Sequence, residues 1–263
     1  MLCILRFLTV VVGFSALAMS GPSFAQSAQG YVLEVSGNVT GQVGIGQPAR
    51  VAKGQTLVNN ATITTAAQSY AVLKFEDGTA VLLKENTSFQ VQHYTYNSKA
   101  PENASAIFNL VRGGLRMITG LVTSRNRDAL KVATPLATIG IRGTEFVAEL
   151  VNPLYIQVIN GVISITNGAG TVLFSVGQTA VVTSSTTLGG LVPMSEVPPG
   201  VFQMPNFPLT SVPEAIPPGN PVGGGAAVAG GAPVGTTAAV IAISAAVVAG
   251  VATANTTTTT THH

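Results

Sequence analysis

Charged residues, cysteine and histidine are scarce in this sequence. Lysine, arginine, aspartate and glutamate make up 8% of the 263 residues, against roughly 25% in ordinary soluble domains. The formal net charge of +2 is too small to indicate nucleic acid as the main partner. The single cysteine, Cys3, excludes disulfide frameworks and cysteine metal clusters, and three histidines leave almost no material for a histidine metal site.

The residue patterns of common enzymes are also missing from the sequence. It contains no recognisable nucleophile with a base and an orienting acid, no paired carboxylates and no phosphate-binding loop. The glycine clusters at 223–225 and 230–231 lack a lysine and follow prolines rather than a strand. The sequence therefore predicts a non-enzymatic protein without a cofactor or a bound metal.

The first 25 residues are predicted to be an export signal. Arg6 precedes an apolar stretch from Leu8 to Ala18, and Ser23-Phe24-Ala25 places small residues three and one positions before a cleavage site. Cleavage there gives a mature chain that begins at Gln26, has no thiol and functions outside the cytoplasm. The alternative is an uncleaved anchor in the inner membrane.

Residues 26–190 are predicted to form an all-β domain of ten to twelve short strands. Tyr70 to Phe75 alternates between two faces, and Asp77-Gly78 supplies a tight turn into a second strand. Asn160-Gly161 joins Leu154 to Ile159 with the strand that follows, and no helical period separates these elements.

Two similar turns hint at internal repetition. Lys53-Gly54-Gln55-Thr56 precedes a threonine-rich strand, and Val176-Gly177-Gln178-Thr179 precedes another strand. These similar turns slightly favour a β-solenoid-like arrangement over a simple sandwich.

The C-terminal third is predicted to contain no second globular domain. Residues 191–235 are rich in proline and glycine and are interpreted as an extended, partly mobile linker. Residues 236–254 form an apolar alanine- and valine-rich segment, predicted as a short helix, and residues 255–263 a disordered threonine and histidine tail. For Ala238 to Ala254 three alternatives stay open: membrane insertion, self-association or packing on another protein, and disorder. A chain ending at Leu191 is predicted to be a soluble monomer.

Four segments of the predicted β domain form a recognisable series. They are Phe75-Glu76-Asp77-Gly78-Thr79 running on to Phe89-Gln90-Val91; Leu110-Val111-Arg112-Gly113-Gly114-Leu115-Arg116; Val132-Ala133-Thr134-Pro135 through Ile139-Gly140-Ile141-Arg142-Gly143-Thr144-Glu145-Phe146; and Ile159-Asn160-Gly161-Val162 leading to Val176-Gly177-Gln178. In this order they resemble the FecR domain, the periplasmic β domain of the FecR family. The resemblance covers roughly residues 30 to 185, and the third segment is the most specific.

The resemblance implies a non-catalytic sensing or interaction domain, exported to the periplasm or outer envelope of a Gram-negative bacterium. The best-known members of the family regulate a cytoplasmic sigma factor, but only Met1 to Phe7 precede the apolar stretch here, so that activity is not expected to carry over. The expected partner is an envelope protein or a cell-wall glycan. The alternative is a structural or self-assembling envelope protein, anchored by its C-terminal apolar segment with contact to a membrane.

Five residues are candidates for a structural or interaction site: Arg142, Gly143, Thr144, Arg112 and Arg116. Arg142 is predicted to fix a bend before Gly143 by hydrogen bonds to backbone carbonyls or to Glu145, with a ligand-facing arginine as the alternative. Arg112 and Arg116 flank a glycine pair and are interpreted either as part of a basic patch for anionic lipid or polysaccharide, or as a solvated rim.

Overall fold

A computed structural model of the chain describes residues 28–217 and 219–223, and β-strands form nearly all the regular structure in that part. The first eight strands are β1 (Gly30–Ser36), β2 (Val39–Val43), β3 (Ala49–Arg50), β4 (Thr56–Leu57), β5 (Ala61–Thr65), β6 (Tyr70–Phe75), β7 (Ala80–Leu83) and β8 (Ser88–Thr95). The others are β9 (Ser105–Ile118), β10 (Leu130–Ala133), β11 (Thr138–Ile141), β12 (Glu145–Leu150), β13 (Leu154–Asn160), β14 (Val162–Asn167), β15 (Gly170–Ser175), β16 (Thr179–Val182) and β17 (Gly190–Leu191). Three single 3-10 turns cover Pro101–Asn103, Leu121–Thr123 and Met194–Glu196.

The predicted all-β character of the domain is confirmed. The β6–β7 hairpin turns at Asp77-Gly78, where Gly78 has a φ of 92°. The hairpin predicted at Asn160-Gly161 is wrong. Gly161 has a φ of 80° and turns the chain there, but β13 pairs with β12 and β16, whereas β14 pairs with β11 and β15. The structure has more strands than the ten to twelve predicted, partly because two-residue strands such as β3, β4 and β17 leave no alternation to detect.

The strands form two sheets that share the long strand β9. Sheet I has the order β4-β1-β6-β7-β9-β12-β13-β16-β17, and sheet II has the order β3-β2-β5-β8-β9-β10-β11-β14-β15. Among these strand pairs only β9 with β10 is parallel. Apart from the edge strands β4 and β3, both sheets advance from one end to the other in chain order, as in a solenoid, but neighbouring strands are mostly antiparallel.

The inner faces of the two sheets pack on each other. Phe75 of sheet I has its ring centroid 5.0 Å from that of Tyr94 and 4.9 Å from that of Phe108, both in sheet II. Phe89 continues this aromatic cluster at 5.3 Å from Phe108. All four rings are fully buried, so this cluster joins the sheets through the centre of the core.

The suspected repeat is present in the backbone. Gly54 and Gly177 have φ values of 82° and 80°. The side-chain oxygen of Gln55 accepts from the N–H of Ala52 (3.0 Å), and that of Gln178 accepts from the N–H of Ser175 (2.6 Å). Each turn leads into a short strand of sheet I, β4 near one edge and β16 near the other. The two turns are therefore structurally equivalent.

The proline-rich stretch packs against the domain, where the sequence predicted a partly mobile linker. Residues 199–217 and 219–223, here called the strap, run back across sheet I. Lys84 Nζ donates to the carbonyl of Gly200 (2.9 Å), Lys74 Nζ to that of Thr210 (2.5 Å), and the N–H of Thr56 to that of Asn220 (3.0 Å). Proline does exclude helix and central strand here, as predicted, but it leaves an extended chain that docks.

The strap explains why both faces of sheet I are buried at its centre. Val72 and Leu82 point away from the inner core and lie opposite each other on β6 and β7, yet both are fully buried. Val147 of β12 and Val201 of the strap are likewise buried without belonging to the main core cluster. Val222 enters the main core at the far end of the strap. The compact unit that contains all described residues extends to Ala226.

Several sequence predictions concern residues outside the described part. The export signal in residues 1–25, the apolar segment 236–254 and the tail 255–263 all lie there. Within residues 28–217 and 219–223, none of the helices has the length and apolarity needed to cross a membrane.

Candidate functional site

The outer face of sheet II carries a row of eight aligned residues, one from each of eight strands, and all of them except Ala133 have polar, uncharged side chains. Each residue lies directly opposite the next on the neighbouring strand, and every one is partly or fully exposed. At about 4.8 Å per strand the row is about 34 Å long. We call it the polar row: Gln42, Thr62, Gln90, Asn109, Ala133, Thr138, Thr166 and Thr171.

Neighbouring members of the polar row are joined by hydrogen bonds between side chains. Asn109 Nδ2 donates to Gln90 Oε1 (2.9 Å), and the hydroxyls of Thr166 and Thr171 are 2.9 Å apart. These contacts hold the side chains in place but leave donors and acceptors free to face the solvent, since an amide or hydroxyl makes more than one hydrogen bond.

A groove of about 500 Å³ lies at the β10–β15 end of this face. Its residues include three charged side chains, four hydroxyls, one glycine and one exposed leucine. We call it the Arg142 groove: Asp128, Lys131, Thr138, Gly140, Arg142, Ser164, Thr166, Thr171 and Leu173. Gly140 lies in the middle, and a Cβ there would lie 2.4 Å from the Ser164 hydroxyl oxygen, which would have to rotate away.

Arg142 does not hold the bend in the way the sequence predicted. Its guanidinium meets Asp128 Oδ1 at 3.5 Å, with 42% of the Arg142 side chain and 75% of the Asp128 side chain exposed. Glu145, the other predicted partner, is paired with Arg116 instead. Arg142 therefore lines the groove, and its ligand-facing alternative stays a prediction.

The bend itself depends on Gly143 and Thr144. Gly143 has a φ of 69°, and Thr144 is paired with Thr119. The N–H of Thr144 donates to the Thr119 hydroxyl (2.8 Å), and the N–H of Thr119 donates to the Thr144 carbonyl (3.0 Å). The Thr144 hydroxyl oxygen is buried without a hydrogen-bond partner. These contacts give the second and third residues of the Arg-Gly-Thr segment a structural role.

Arg142→Ala is expected to change the free energy of unfolding by less than about 1 kcal/mol, because an exposed ion pair at this distance contributes little. Gly143→Val is expected to cost about 1–3 kcal/mol, since a β-branched residue tolerates positive φ badly. Urea denaturation of the two variants measures both values. A loss at Arg142→Ala as large as that at Gly143→Val would restore the bend-fixing role of the arginine.

Arg112 and Arg116 are not brought together into one basic patch. Arg116 Nε donates to Glu145 Oε1 (2.8 Å) on the outer side of sheet I, next to Leu82 and Val147 in the register. Arg112 is exposed and lies opposite Ser88, where β9 passes from one sheet to the other. Neither belongs to the Arg142 groove.

The glycine pair between them makes the strand crossing possible. Gly113 has a φ of 79°. A Cβ on Gly114 would lie 1.9 Å from the Glu149 carboxylate. The Thr87 hydroxyl accepts from the N–H of Gly114 (3.0 Å) and donates to its carbonyl (3.1 Å). A threonine therefore supports this crossing, as Thr119 does at the Arg142 bend.

A second cleft, of about 710 Å³, lies where the strap passes Lys84 and Glu149. Their side chains are 17% and 6% exposed and meet at 3.3 Å. Lys84 also donates to the carbonyls of Gly200 and Val201. Burial raises the pKa of Glu149, and the nearby Lys84 ammonium acts in the opposite direction. Because the charges of this cleft are used by the domain itself, we interpret it as structural.

Lys84→Met is expected to destabilise the domain by about 3 kcal/mol at pH 7, because it leaves Glu149 buried without its counter-charge. A carboxyl whose folded pKa is raised above its ordinary value of 4.5 stabilises the fold most when protonated, so the deficit should shrink as the pH falls toward 4.5. Adding Glu149→Gln should recover most of the loss. Thermal melts at pH 7 and at pH 4.5 measure this stability deficit. A deficit that depends neither on pH nor on the added Glu149→Gln change would contradict the pairing of Lys84 with Glu149.

Asp77 forms a buried polar network that the sequence did not predict beyond its turn. Its carboxylate accepts from the Thr79 hydroxyl (2.7 Å), the Tyr94 hydroxyl (2.7 Å) and the N–H of Val122 (2.9 Å). Burial and the Asp77 charge both raise the pKa of Tyr94. The network joins the β6–β7 turn to sheet II and to the 3-10 turn after β9.

Within the described residues no group of three metal-ligating side chains is present.

The bend at Gly143, the strand crossing at Gly113 and Gly114, and the Asp77 turn all lie in the part of the chain that matches a known family. The family model of the FecR protein matches residues 61–164. The chain carries a FecR domain. The match begins at the first residue of β5 and ends at Ser164 in the Arg142 groove, so the FecR match includes Asp77, Arg142 and most of the polar row, whereas β1 to β4 and the strap lie outside it.

Solved structures similar to this FecR domain include two crystal structures of a candidate anti-sigma factor from Parabacteroides distasonis. Each is 15% identical and covers 50% of this chain and 57% of that chain, with TM-scores of 0.38 and 0.39. The chain therefore spans little more than half the length of that protein. No curated protein matches the chain.

Proposed function

We propose that the chain is a non-enzymatic interaction or sensing module of the bacterial cell envelope, and that it binds a glycan chain on the outer face of sheet II. The FecR match supports a sensing or signal-transduction type of domain. We choose the outer face of sheet II as the binding surface because the outer faces of the two sheets differ in how far they are covered. The strap covers sheet I, whereas the polar row of sheet II is partly or fully exposed at each of its residues.

The chemistry of the polar row favours a glycan over an envelope protein. Protein interfaces place aromatic side chains, methionine and arginine at their energetic centres. The polar row instead offers hydroxyls and amides, which both donate and accept hydrogen bonds as sugar hydroxyls do. A chain laid across the strands would meet a polar side chain about every 4.8 Å, except at Ala133 on β10.

Sedimentation of the full chain with purified peptidoglycan sacculi tests this function. The triple variant Thr62→Val, Thr138→Val and Thr166→Val keeps the shape and strand propensity of each residue and removes its hydroxyl. We expect it to bind at least about 10-fold more weakly, the equivalent of 1.4 kcal/mol. The matched control Thr183→Val and Thr186→Val, at exposed positions outside the polar row, should bind like the parent.

Two outcomes would contradict the proposal. Equal binding of the triple variant and the parent would remove the polar row from recognition. Binding that disappears when the sacculi are first treated with protease would identify an envelope protein as the partner in place of the glycan.

A further inference from the structure

We infer that the Arg142 groove is an acid-binding subsite that takes a carboxylate-bearing sugar of the glycan. This inference rests on the proposed function and adds the ligand class. The groove contains two cationic side chains, Lys131 of β10 and Arg142, which directly follows the last residue of the neighbouring strand β11. The polar row outside the groove has no charged member, so the Arg142 groove is where a charged unit of the glycan would be recognised.

Arg142 is available to a ligand because its present contact is weak. The 3.5 Å approach to Asp128 is at the long limit of a hydrogen bond, and most of the Asp128 side chain is exposed. A guanidinium has five N–H donors, in a planar arrangement that matches a carboxylate with two parallel hydrogen bonds. A sugar carboxylate can therefore replace Asp128 as the better partner of Arg142.

Lys131 supplies the second positive charge of the groove. It lies directly opposite Gly140 in the register, and its side chain is exposed. Gly140 lies in turn opposite Ser164 and has no side chain of its own, so the floor of the groove is open between the lysine and the serine hydroxyl. Lys131, Arg142 and Asp128 together give the groove one net positive charge.

The remaining residues of the groove fit the rest of a sugar ring. The hydroxyls of Thr138, Thr166 and Thr171 lie in one register line across β11, β14 and β15. Leu173, of which 57% is exposed, offers an apolar surface beside them for the C–H face of the ring. One groove therefore combines a carboxylate site, hydroxyl partners and an apolar contact.

Affinity electrophoresis of the full chain in polygalacturonate, with its methyl ester as the uncharged analogue, tests this subsite. We expect the parent to be retarded more strongly by the acid than by the ester. Arg142→Gln and Lys131→Gln should each weaken binding to the acid at least about 10-fold and leave binding to the ester unchanged. Asp128→Asn should strengthen binding to the acid, because it removes a competing carboxylate.

Arg112→Gln is the matched control, since it removes the same charge from an exposed strand residue outside the groove. An equal loss at Arg112→Gln would show general attraction to a basic surface and overturn the subsite. Binding of the parent to phosphatidylglycerol vesicles, with the same dependence on Arg142, would also overturn it in favour of a phosphate headgroup.

The failure of the subsite and the failure of the proposed function can be told apart. If the acid and the ester bind equally while the sacculi assay depends on the polar row, the subsite fails and the proposed function stands. If sacculi binding is also independent of the polar row, the proposed function fails as well.

Discussion

Asp77→Ala is expected to lower the free energy of unfolding by about 4 kcal/mol. The substitution removes the acceptor of two hydroxyls and of the backbone N–H groups of Thr79 and Val122, all in a site that excludes water. A buried group left without its hydrogen bond costs about 1–3 kcal/mol, and losses within one network do not add fully. Equilibrium denaturation in urea measures the change.

The control for this prediction is the neighbouring residue. Glu76→Ala changes an exposed carboxylate of the same turn and should stay within about 0.5 kcal/mol of the parent. The double variant Asp77→Ala with Tyr94→Phe should be less destabilised than the two single changes together, because the tyrosine hydroxyl loses its partner only once. Equal free energies of unfolding for Asp77→Ala and Glu76→Ala would mean that the network does not stabilise the domain.

A chain that ends at Leu191 is expected to be much less stable than one that ends at Ala226, and to self-associate. Removal of the strap uncovers Val72, Leu82 and Val147, and each fully buried aliphatic side chain contributes about 1.5–3 kcal/mol. The conformational entropy regained by the strap offsets part of this loss. We expect a net loss on the order of 4 kcal/mol, or about 10 °C in Tm for a domain of this size.

This expectation reverses the prediction made from sequence for the same truncation, which was a soluble monomer. The exposed outer face of sheet I would be a contiguous apolar patch, and such patches drive association. Differential scanning calorimetry and sedimentation velocity of the two truncated chains measure both effects. An equally stable monomer ending at Leu191 would show that the strap is dispensable.

Local turn chemistry made much of the fold predictable. Asp77-Gly78 indicates its hairpin because a tight turn between strands needs residues that tolerate positive φ, which is a property of the turn alone. Asn160-Gly161 indicates a turn for the same reason, but the strands that it joins pair with other strands, so the predicted hairpin is absent there. The position of the strap depends instead on contacts with residues more than a hundred positions away, such as Lys74 with Thr210. One signal was present: β6 and β7 are apolar on both faces, which is typical of strands covered on both sides.

The candidate site was predictable only in part, for a related reason. The Arg-Gly-Thr segment did indicate a bend, and Gly143 has the positive φ that the bend needs. The partner of each side chain could not be read from the spacing, so Glu145 was assigned to Arg142 although it pairs with Arg116. The polar row was missed because its members come from eight strands and align only through the register of the sheet.

The labelling rate of two single cysteines tests the central claim, that the strap closes the outer face of sheet I while that of sheet II is open. Ala80→Cys and Ala133→Cys are matched changes, because both alanines point outward, Ala80 on sheet I with 1% exposure and Ala133 in the polar row. In a Cys3→Ser background of the full chain, Ala133→Cys should react with a maleimide at nearly the rate of a free thiol. Ala80→Cys should react about 100-fold more slowly, which corresponds to about 2.8 kcal/mol for local opening of the strap. Equal rates at the two positions would contradict the account.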